Sequence, residues 1–351
     1  MLKNSKKVGV VGHFGFGKEL LNGQTIKTKI LSKELERRFG ENEVVKIDTH
    51  GGKKAIIGLL FKLFFTMRKC KNIVILPAHN GVRFFVPILV AFNRFFKRKI
   101  FYAVIGGWLP QYLQDKKNLA KKLTHFDGIL VETQTLKAAL EAKGFKNIVL
   151  MTNCKELKIL KENELVYPQG EPYKLCTFSR VMKEKGIEDA IDAVKAINGK
   201  FGRIVYTLDI YGQVDSEQTE WFETLRTNFP EYIQYCGVIA YDQSVEVLKE
   251  YFLLLFPTRF FTEGVPGTLL DAYASGVPVI ASDWESRSDI LEEGECGYVY
   301  PFGDTQQFTC MLENIASYPN MVLDLKQKCI IKSKDYLPQT AIVPLLQLFD
   351  K

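Results

Sequence analysis

The stretch TEGVPGTLLDAYASG, residues 262–276, places two carboxylates on either side of a Gly/Pro turn. Glu263 stands beside the turn, and Asp271 stands inside the apolar, helix-like run that follows it. Short apolar runs rich in strand-forming residues precede and follow the stretch, at 251–257 and 277–282. This order of strand, loop, helix and strand is typical of a parallel sheet covered by helices.

The same alternation runs along the whole chain. Short β-branched runs predict strands at 7–12, 43–48, 72–77, 99–107, 127–132, 147–151, 174–180, 203–212, 232–237, 251–257, 277–282 and 297–301. Helical spacing of apolar residues over 24–39, with Gly40 as a stop signal, predicts the first connecting helix. We therefore predict an α/β protein built from two Rossmann-like, doubly wound domains.

The length of 351 residues also favours two domains, because one hydrophobic core seldom serves so long a chain. The segment 158–174 contains Pro168, Gly170 and Pro172 and is predicted to be the linker. The predicted divisions are 1–168 for the N-terminal domain, 169–330 for the C-terminal domain and 331–351 for a final helix that packs back on the N-terminal domain. Tandem domains of this kind enclose a cleft between the carboxyl ends of their strands.

The composition is that of a globular protein, with 46% hydrophobic and 25% charged residues. The seven cysteines are scattered singly, which argues against a zinc site and against a disulfide scaffold. The first residues, MLKNSKKVGVVG, pass from a basic tip into a strand without a signal-peptide core. These features predict a cytoplasmic protein with reduced thiols.

The charge is divided unevenly along the chain. Residues 1–170 contain 31 basic and 13 acidic residues, whereas 171–351 contain 16 and 27. This bias predicts an anionic partner for the N-terminal half. Nucleic acid is not predicted, because no recognition motif accompanies the charge.

Two basic and apolar stretches, 55–71 and 83–99, have two possible interpretations. Each apolar run is shorter than the roughly 18 to 20 residues that cross a bilayer. They are either core helices with solvated basic ends or helices that dock on an anionic membrane surface.

The chemistry is predicted to centre on the loop and helix after strand 251–257. Glu263 is placed to accept hydrogen bonds from sugar hydroxyls, and Asp271 to reach a ribose. The helix N-terminus is predicted to bind an anion such as a diphosphate. The amides that serve it belong to Gly264, Val265, Gly267 and Thr268. In a structural alternative, Thr268 and Asp271 only form a capping box.

A second segment, FSRVMKEKGIEDAI at 178–191, supplies cations for that anion. Arg180 follows a predicted strand, and Lys185 lies in a turn with Gly186. A planar guanidinium and a compact ammonium together can neutralise a diphosphate. The sequence therefore predicts neither a metal ion nor another cofactor.

The segments SRVMKEKGIEDAI, PTRFFTEGVPGTLLDAYASGVPVIASD and EEGECGYVYPFGD resemble the donor-binding half of nucleotide-sugar glycosyltransferases of family 4. The resemblance covers about residues 174–305 strongly and the N-terminal half weakly. It implies the GT-B fold, in which two Rossmann-like domains face each other across a cleft. It also implies a retaining reaction, with the acceptor bound by the N-terminal domain and the donor by the C-terminal one.

Residue by residue, the resemblance assigns the catalytic roles to Arg180, Lys185 and Glu263, with Arg180 and Lys185 binding the diphosphate. Asp271 takes the place of the second acid of the family's motif and is one methylene shorter. The backbone of Val238 is placed against the nucleotide base. The stretch GHFGFGKELLNGQTIKT, 12–28, resembles the family's glycine-containing loop and implies donor contacts at Gly15, Gly17 and Gly23.

The sequence departs from the family at one position. Many relatives carry a histidine at the end of the fourth strand, where this chain has Gly106 and Gly107. His79, at the end of a neighbouring strand, either substitutes for it or is a structural histidine.

The sequence thus predicts a retaining, metal-independent transferase that moves a sugar from a nucleotide-sugar, a UDP-sugar being favoured. The acceptor is predicted to be a polyprenyl-diphosphate-linked or free saccharide in capsule, O-antigen or exopolysaccharide synthesis. The protein is expected to associate peripherally with the inner face of the cell membrane. Two alternatives remain open, namely a sugar-nucleotide epimerase or hydrolase of the same fold and a non-catalytic nucleotide-sugar-binding subunit.

Overall fold

The computed structural model describes residues 6–17, 23–50 and 56–350. It divides into two compact units. The N-terminal unit consists of Met1–Glu156 and Tyr336–Lys351, and the C-terminal unit consists of Leu157–Asp335.

The N-terminal unit is built on a six-stranded parallel sheet with the strand order β2-β1-β3-β4-β5-β6. Along the chain its elements are β1 Lys6–Gly12, α1 Gly23–Phe39, β2 Val44–Asp48, α2 Ile56–Lys69, β3 Cys70–Ile75, α3 His79–Phe96, β4 Lys99–Ala103, α4 Leu109–Tyr112, α5 Lys117–Leu123, β5 Gly128–Val131, α6 Gln134–Glu141 and β6 Ile148–Leu150. Every residue of β5 is buried, as expected for an inner strand covered on both faces.

The C-terminal unit contains a second six-stranded parallel sheet, with the order β12-β11-β10-β7-β8-β9. Its elements are β7 Tyr173–Phe178, α7 Ile187–Phe201, β8 Tyr206–Tyr211, α8 Thr219–Arg226, β9 Ile233–Gly237, α9 Ser244–Leu248, β10 Leu253–Phe256, α10 Gly267–Ala274, β11 Val279–Ser282, β12 Gly297–Tyr300, α11 Thr305–Ser317, α12 Asn320–Leu323 and α13 Lys326–Lys332. Strands β10 and β11 are buried along their whole length.

The predicted α/β class is confirmed, and each of the twelve predicted strands is present. The two basic and apolar stretches form α2 and α3, although Cys70 and Lys71 belong to β3 and Lys99 to β4. Within the described ranges, no helix is both long enough and apolar enough to cross a bilayer.

The boundary between the units lies at Glu156 and Leu157, whereas the sequence analysis placed it at 168 and 169. The difference arises because the predicted linker begins with residues that pack on the C-terminal unit. The amide of Leu160 donates to the carbonyl of Ala274 at 3.0 Å. The Leu160 side chain is buried with those of Ala274, Val245 and Ile330.

The chain returns to the N-terminal unit after α13, through the short helices α14, Pro338–Ala341, and α15, Val343–Asp350. Ile342 and Leu345 are buried in a cluster that also contains Leu35 of α1. The Lys99 ammonium donates to the Phe349 carbonyl at 3.0 Å. The return begins at Tyr336, whereas the sequence analysis placed it at residue 331.

Two glycines that flank α7 give a matched test of backbone packing. Gly186 and Gly202 have similar left-handed φ values, 69° and 63°. A Cβ at Gly186 would overlap the Pro257 carbonyl, whereas one at Gly202 would meet no atom within 4 Å. Gly202→Ala should cost about 1 kcal/mol, from φ alone. Gly186→Ala should cost about 3 kcal/mol or more, because backbone must also move.

Thermal unfolding measures this difference. A cost of 1 kcal/mol lowers the melting temperature by roughly 2 to 4 °C in a domain of this size. Gly186→Ala should therefore melt well below Gly202→Ala. Equal melting temperatures for the two variants would show that the approach of Gly186 to Pro257 is not tight.

Candidate functional site

The candidate site lies where the C-terminal sheet reverses its strand order. Strands β7 and β10 are hydrogen-bonded neighbours, with Leu175 opposite Leu253 and Cys176 opposite Leu254. From there the chain continues to β8 on one side and to β11 on the other. Ligands of such sheets bind outside the carboxyl ends of the strands at this reversal. The two loops that leave these ends carry the predicted catalytic residues.

Lys185 and Glu263 meet at this point. The Lys185 ammonium is hydrogen-bonded to Oε1 of Glu263, and the Thr258 hydroxyl donates to the same oxygen at 3.1 Å. The ammonium also lies over the rings of Phe256 and Phe260, 5.4 and 5.0 Å from their centroids. Only 14% of the Lys185 side chain and 16% of the Glu263 side chain are exposed. The structure therefore brings two of the three predicted catalytic residues into one shielded ion pair.

The two loops are also held together by contacts that the sequence analysis did not predict. The amide of Arg259 donates to the carbonyl of Glu184 at 2.8 Å. The Arg259 guanidinium forms two hydrogen bonds with the carboxylate of Asp189, in the first turn of α7, at 2.9 and 2.5 Å. A bidentate pair of this kind fixes the orientation of both partners. It anchors the loop that carries Glu263 to the helix that follows Lys185.

Arg180 is positioned by its backbone neighbours. The amide of Ser179 donates to the carbonyl of Tyr211 at 3.2 Å, and that of Val181 donates to Gln213 at 2.9 Å. The Arg180 side chain is 58% exposed and lies 3.4 Å from a carboxylate oxygen of Asp215. An exposed ion pair of this length is weak, so an incoming anion can replace Asp215 at little cost.

The N-terminus of α10 lies after Glu263, as predicted, and the helix begins at Gly267. The preceding residues Gly264 and Val265 are buried. The Thr268 hydroxyl is buried and has no hydrogen-bond partner within the described part of the chain. A Cβ at Gly267 would meet no atom within 4 Å, so there is open space beside the first turn. Amides in the first turn of a helix have no acceptor within the helix.

Asp271 is buried, and its carboxylate accepts a hydrogen bond from the Ser244 hydroxyl at 2.7 Å. Pro266 is the residue that precedes the helix, and it makes no side-chain capping bond. The capping box that was the structural alternative therefore lacks its Thr268 half. Asp271 instead connects α10 to the first residue of α9.

Val238 directly follows β9 and is half exposed. The preceding Gly237 has a φ of 78°, which turns the chain away from the sheet. The loop that begins at Val238 leads to Ser244, the partner of Asp271. The predicted base-binding residue and the hydrogen-bond partner of the predicted ribose-binding residue thus lie at the two ends of one short connection.

Two of the predicted donor-binding glycines lie after β1, in the N-terminal unit. Gly15 and Gly17 have φ values of 62° and 79°. The carboxylate of Asp48 accepts hydrogen bonds from the amides of Phe14 and Phe16 at 3.0 and 2.9 Å. Burial by itself raises the pKa of Asp48. The hydrogen bonds from these amides and from those of neighbouring residues outweigh that effect, so the pKa lies below its usual value. The ionised carboxylate of Asp48 therefore holds this loop through its hydrogen bonds to the backbone amides. The sequence analysis did not predict this role.

Gly23, the third predicted glycine, is the first residue of α1 and also borders open space. The part of the predicted loop between Gly17 and Gly23, residues 18–22, lies outside the described residues.

The end of β4, next to Gly106 and Gly107, is organised by a buried ion pair. The Lys27 ammonium is hydrogen-bonded to Glu132 and donates to the Val104 carbonyl at 3.1 Å. The amide of Gly106 donates to the other Glu132 oxygen at 3.2 Å. The sequence pattern did not indicate this pair. Lys27 lies in a helix and Glu132 follows a strand, and charged residues at such positions are usually exposed.

His79 is packed against aromatic side chains. Its ring stacks on that of Trp108 with 3.8 Å between centroids, and the Tyr112 hydroxyl donates to its carbonyl at 3.0 Å. Burial lowers the pKa of His79 below its usual 6.5. The histidine is the first residue of α3, which follows β3, and β3 is a neighbour of β1 in the sheet. These contacts favour a neutral ring that is held in place by packing.

Within residues 6–17, 23–50 and 56–350, no three His, Cys, Asp or Glu side chains are grouped so that they could hold a metal ion.

The sequence of the C-terminal unit matches a known family model. Residues 172–317 match the model described as Glycosyl transferases group 1. The chain is also similar to the amylovoran biosynthesis glycosyltransferase AmsK of Erwinia amylovora, with 24% identity over 151 residues. That match covers 40% of this chain and 35% of AmsK. The chain thus spans about a third of the length of this curated relative.

Two solved structures share the fold along almost the whole chain. Sucrose-phosphate synthase from Thermosynechococcus elongatus has a TM-score of 0.77 and 14% identity, covering 98% of both chains. The Anabaena protein Alr3699/HepE, in complex with UDP and glucose, has a TM-score of 0.75 and 13% identity, covering 98% of this chain and 99% of its own. The predicted two-domain α/β architecture of the GT-B fold is thereby confirmed.

Proposed function

We propose that this protein is a retaining, metal-independent glycosyltransferase of family 4 that uses a nucleotide-sugar donor. The proposed acceptor is a polyprenyl-diphosphate-linked or free saccharide in bacterial surface polysaccharide synthesis. The match of residues 172–317 to a glycosyl transferase model supports the reaction class. UDP is the favoured nucleotide, since the Anabaena protein of the same fold binds UDP and glucose.

The observation that carries this proposal is the shielded pair of Lys185 and Glu263 at the reversal of the C-terminal sheet. A diphosphate placed beside Lys185 faces the weakly paired guanidinium of Arg180 and the amides of Gly267 and Thr268. Phosphate oxygens bind well to such a combination of cations and helix amides. Lys185 then exchanges a carboxylate oxygen for a phosphate oxygen, which frees Glu263 for a sugar hydroxyl.

In the proposed mechanism the bond between the anomeric carbon and the donor diphosphate breaks while the acceptor oxygen bonds to that carbon on the same face. The acceptor proton passes to a phosphate oxygen of the departing nucleoside diphosphate. Arg180 and Lys185 stabilise the negative charge that develops on the diphosphate. The role of Glu263 is to hold the sugar in position, and no protein nucleophile takes part.

The neighbourhood of Asp271 supports a role in nucleotide binding. Its carboxylate is close to Ser244, at the end of the loop that begins at Val238. In the proposal Asp271 binds the ribose and the backbone of Val238 binds the base edge. Gly15, Gly17 and Gly23 of the N-terminal unit complete the set of donor contacts.

We also propose that the protein associates peripherally with the cytoplasmic face of the membrane through an exposed apolar surface on α2. Ile57, Phe61 and Phe65 recur every four residues along this helix and are 72%, 63% and 50% exposed. Phe95 on α3 is 84% exposed. A row of exposed aromatic and aliphatic side chains on a basic helix is typical of interfacial binding to anionic lipid.

A transfer assay tests the overall proposal. The purified protein is incubated with UDP-, GDP- and dTDP-sugars, with and without a lipid-linked acceptor. Transfer that requires the acceptor supports the proposal. Conversion of the nucleotide-sugar without an acceptor identifies an epimerase or hydrolase, and binding without conversion identifies a non-catalytic subunit. Thermal shift identifies the preferred donor, because a bound ligand raises the melting temperature.

The first functional prediction concerns the cations. Arg180→Ala or Lys185→Ala should lower kcat/KM by about 30- to 1000-fold, which corresponds to roughly 2 to 4 kcal/mol of lost transition-state stabilisation. Arg203→Ala is the matched control, because Arg203 is also an exposed arginine paired with a carboxylate, that of Glu171. It should leave kcat/KM unchanged.

EDTA should leave the activity of the wild-type protein intact, since the two cations neutralise the diphosphate. Loss of activity in EDTA that Mg²⁺ restores would rule out the metal-free mechanism.

The second functional prediction separates the two acids. Glu263→Gln should depress kcat strongly, because the sugar loses a charged hydrogen-bond acceptor. Asp271→Asn should chiefly weaken UDP binding, by about tenfold. Ser244→Ala is the control, since it removes a partner of Asp271 and keeps the carboxylate. If Asp271→Asn and Ser244→Ala lower the melting temperature alike and leave UDP affinity intact, Asp271 is only structural.

The third functional prediction concerns the membrane. Phe61→Ser together with Phe65→Ser should release the protein from anionic vesicles, and so should neutralisation of Lys62, Arg94 and Lys97. Salt should weaken binding as well, because it screens the roughly 1 kcal/mol that each basic residue contributes near the membrane. Arg98 is left unchanged, since its guanidinium bonds to the Met67 carbonyl at the end of α2.

Co-sedimentation with vesicles measures the effect. Ile331→Ser, at an exposed apolar residue of the C-terminal unit, is the control and should bind like the wild type. A wild-type protein that does not sediment with anionic vesicles at low salt would refute the membrane proposal.

A further inference from the structure

A second candidate site, separate from the one at Lys185 and Glu263, lies within the N-terminal unit. An open cavity of about 720 Å³ lies between α3 on one side and α5, with the segment that precedes it, on the other. Four basic side chains line it, namely Arg83, Lys116, Lys117 and Lys122. Asp115 is the one acidic residue among the described residues of its wall.

Carboxylates of the described residues do not neutralise these four cations. Across the described ranges, none of them has a carboxylate oxygen within 4 Å. By contrast, Lys33 and Arg37 on α1 both bind Glu156. Like charges that line one cavity repel each other and concentrate a positive field inside it. An anion bound there would relieve this repulsion.

The position of the cavity in the fold agrees with a ligand site. Helix α3 starts directly after β3, and α4 and α5 follow β4, so the cavity lies towards the carboxyl ends of these strands. Parallel sheets bind ligands at that edge. The Lys116 ammonium lies 4.1 Å from the centroid of the Tyr112 ring, which itself contacts His79. The cavity thus adjoins the aromatic group around His79.

We propose that this cavity binds the diphosphate group of a lipid-linked acceptor. The inference rests on the proposed function and names the part of the acceptor that the protein recognises. A prenyl diphosphate carries several negative charges on two adjacent phosphoryl groups. Arg83 supplies a planar fork for one pair of oxygens, and the lysines supply point charges for the rest.

The wall of the cavity favours this ligand over a nucleotide. Among the described residues that line it, none is aromatic, and the neighbouring Tyr112 ring is already covered by the Lys116 ammonium. Pro87 on α3 provides apolar contact beside Arg83. Helix α3 also packs against α2, which carries the exposed apolar surface proposed for membrane contact.

Calorimetric titration with farnesyl diphosphate and with inorganic pyrophosphate tests the proposal. Saturating UDP is present, so that the donor site is filled. Farnesyl diphosphate should bind to the wild type, and Arg83→Gln with Lys117→Gln should weaken it at least tenfold. Lys121→Gln with Lys146→Gln removes the same charge from exposed positions outside the cavity and should change affinity less than twofold. Equal affinities for the wild type and the Arg83/Lys117 variant would overturn the proposal.

Two further measurements identify the source of the phosphate. If pyrophosphate binds as tightly as farnesyl diphosphate, the cavity is a site for free phosphates rather than for a lipid-linked one. If the Arg83/Lys117 variant loses binding to phosphatidylglycerol vesicles but keeps farnesyl diphosphate, the cavity binds membrane headgroups and the proposal fails.

A separate UDP titration, without farnesyl diphosphate, distinguishes this inference from the proposed function. Failure of UDP to bind, with farnesyl diphosphate still bound through Arg83 and Lys117, overturns the proposed function alone. Normal UDP binding, with farnesyl diphosphate insensitive to both residues, overturns the cavity alone.

Discussion

The close contact between the turn at Gly186 and the carbonyl of Pro257 is the constraint on which the candidate site depends. Gly186 follows Lys185, and Pro257 begins the loop that carries Glu263, so this contact sets the separation of the two charged side chains. The bond from Arg259 to Glu184 and the bidentate pair of Arg259 with Asp189 extend the same junction. The site is therefore built from two loops that are locked to each other by backbone, and the side chains need little reordering to bind a ligand.

The sheet order explains why these loops meet. Strands β7 and β10 are distant in sequence but adjacent in the sheet, because the strand order reverses between them. The N-terminal sheet reverses between β1 and β3. Polar residues lie near this reversal too, namely Asp48 at the end of β2 and His79 at the start of α3. The same physical rule thus produces a ligand-facing edge in each unit. What differs is the chemistry at the edge, with an ion pair in one unit and an aromatic group beside unpaired cations in the other.

The fold could be predicted from sequence because alternating β-branched and helical runs are local signals. Arg180, Lys185 and Glu263 could be predicted as site residues because each follows a strand in a segment that resembles a known family, and their roles stay predictions. The direct bond between Lys185 and Glu263 could not, because it depends on which strands are neighbours. The buried pair of Lys27 and Glu132 was missed for a related reason, since nothing local marks a charged residue as buried. The boundary at Glu156 was missed because Leu160 resembles linker sequence until its packing partners are known.

The two units treat charge in opposite ways, and this difference bears on specificity. In the C-terminal unit Lys185 and Glu263 are shielded and paired, so in the proposed function a diphosphate has to exchange only one partner of Lys185. In the N-terminal unit Arg83 and Lys117 are exposed and form no ion pair within the described chain, so an anion bound between them would relieve their mutual repulsion. A paired site discriminates among ligands by geometry, because a poor fit leaves a buried charge without a partner. An unpaired basic cavity discriminates mainly by charge. In the proposed function, a donor must be recognised atom by atom, whereas a lipid-linked acceptor already confined to a membrane surface needs only to be bound and oriented.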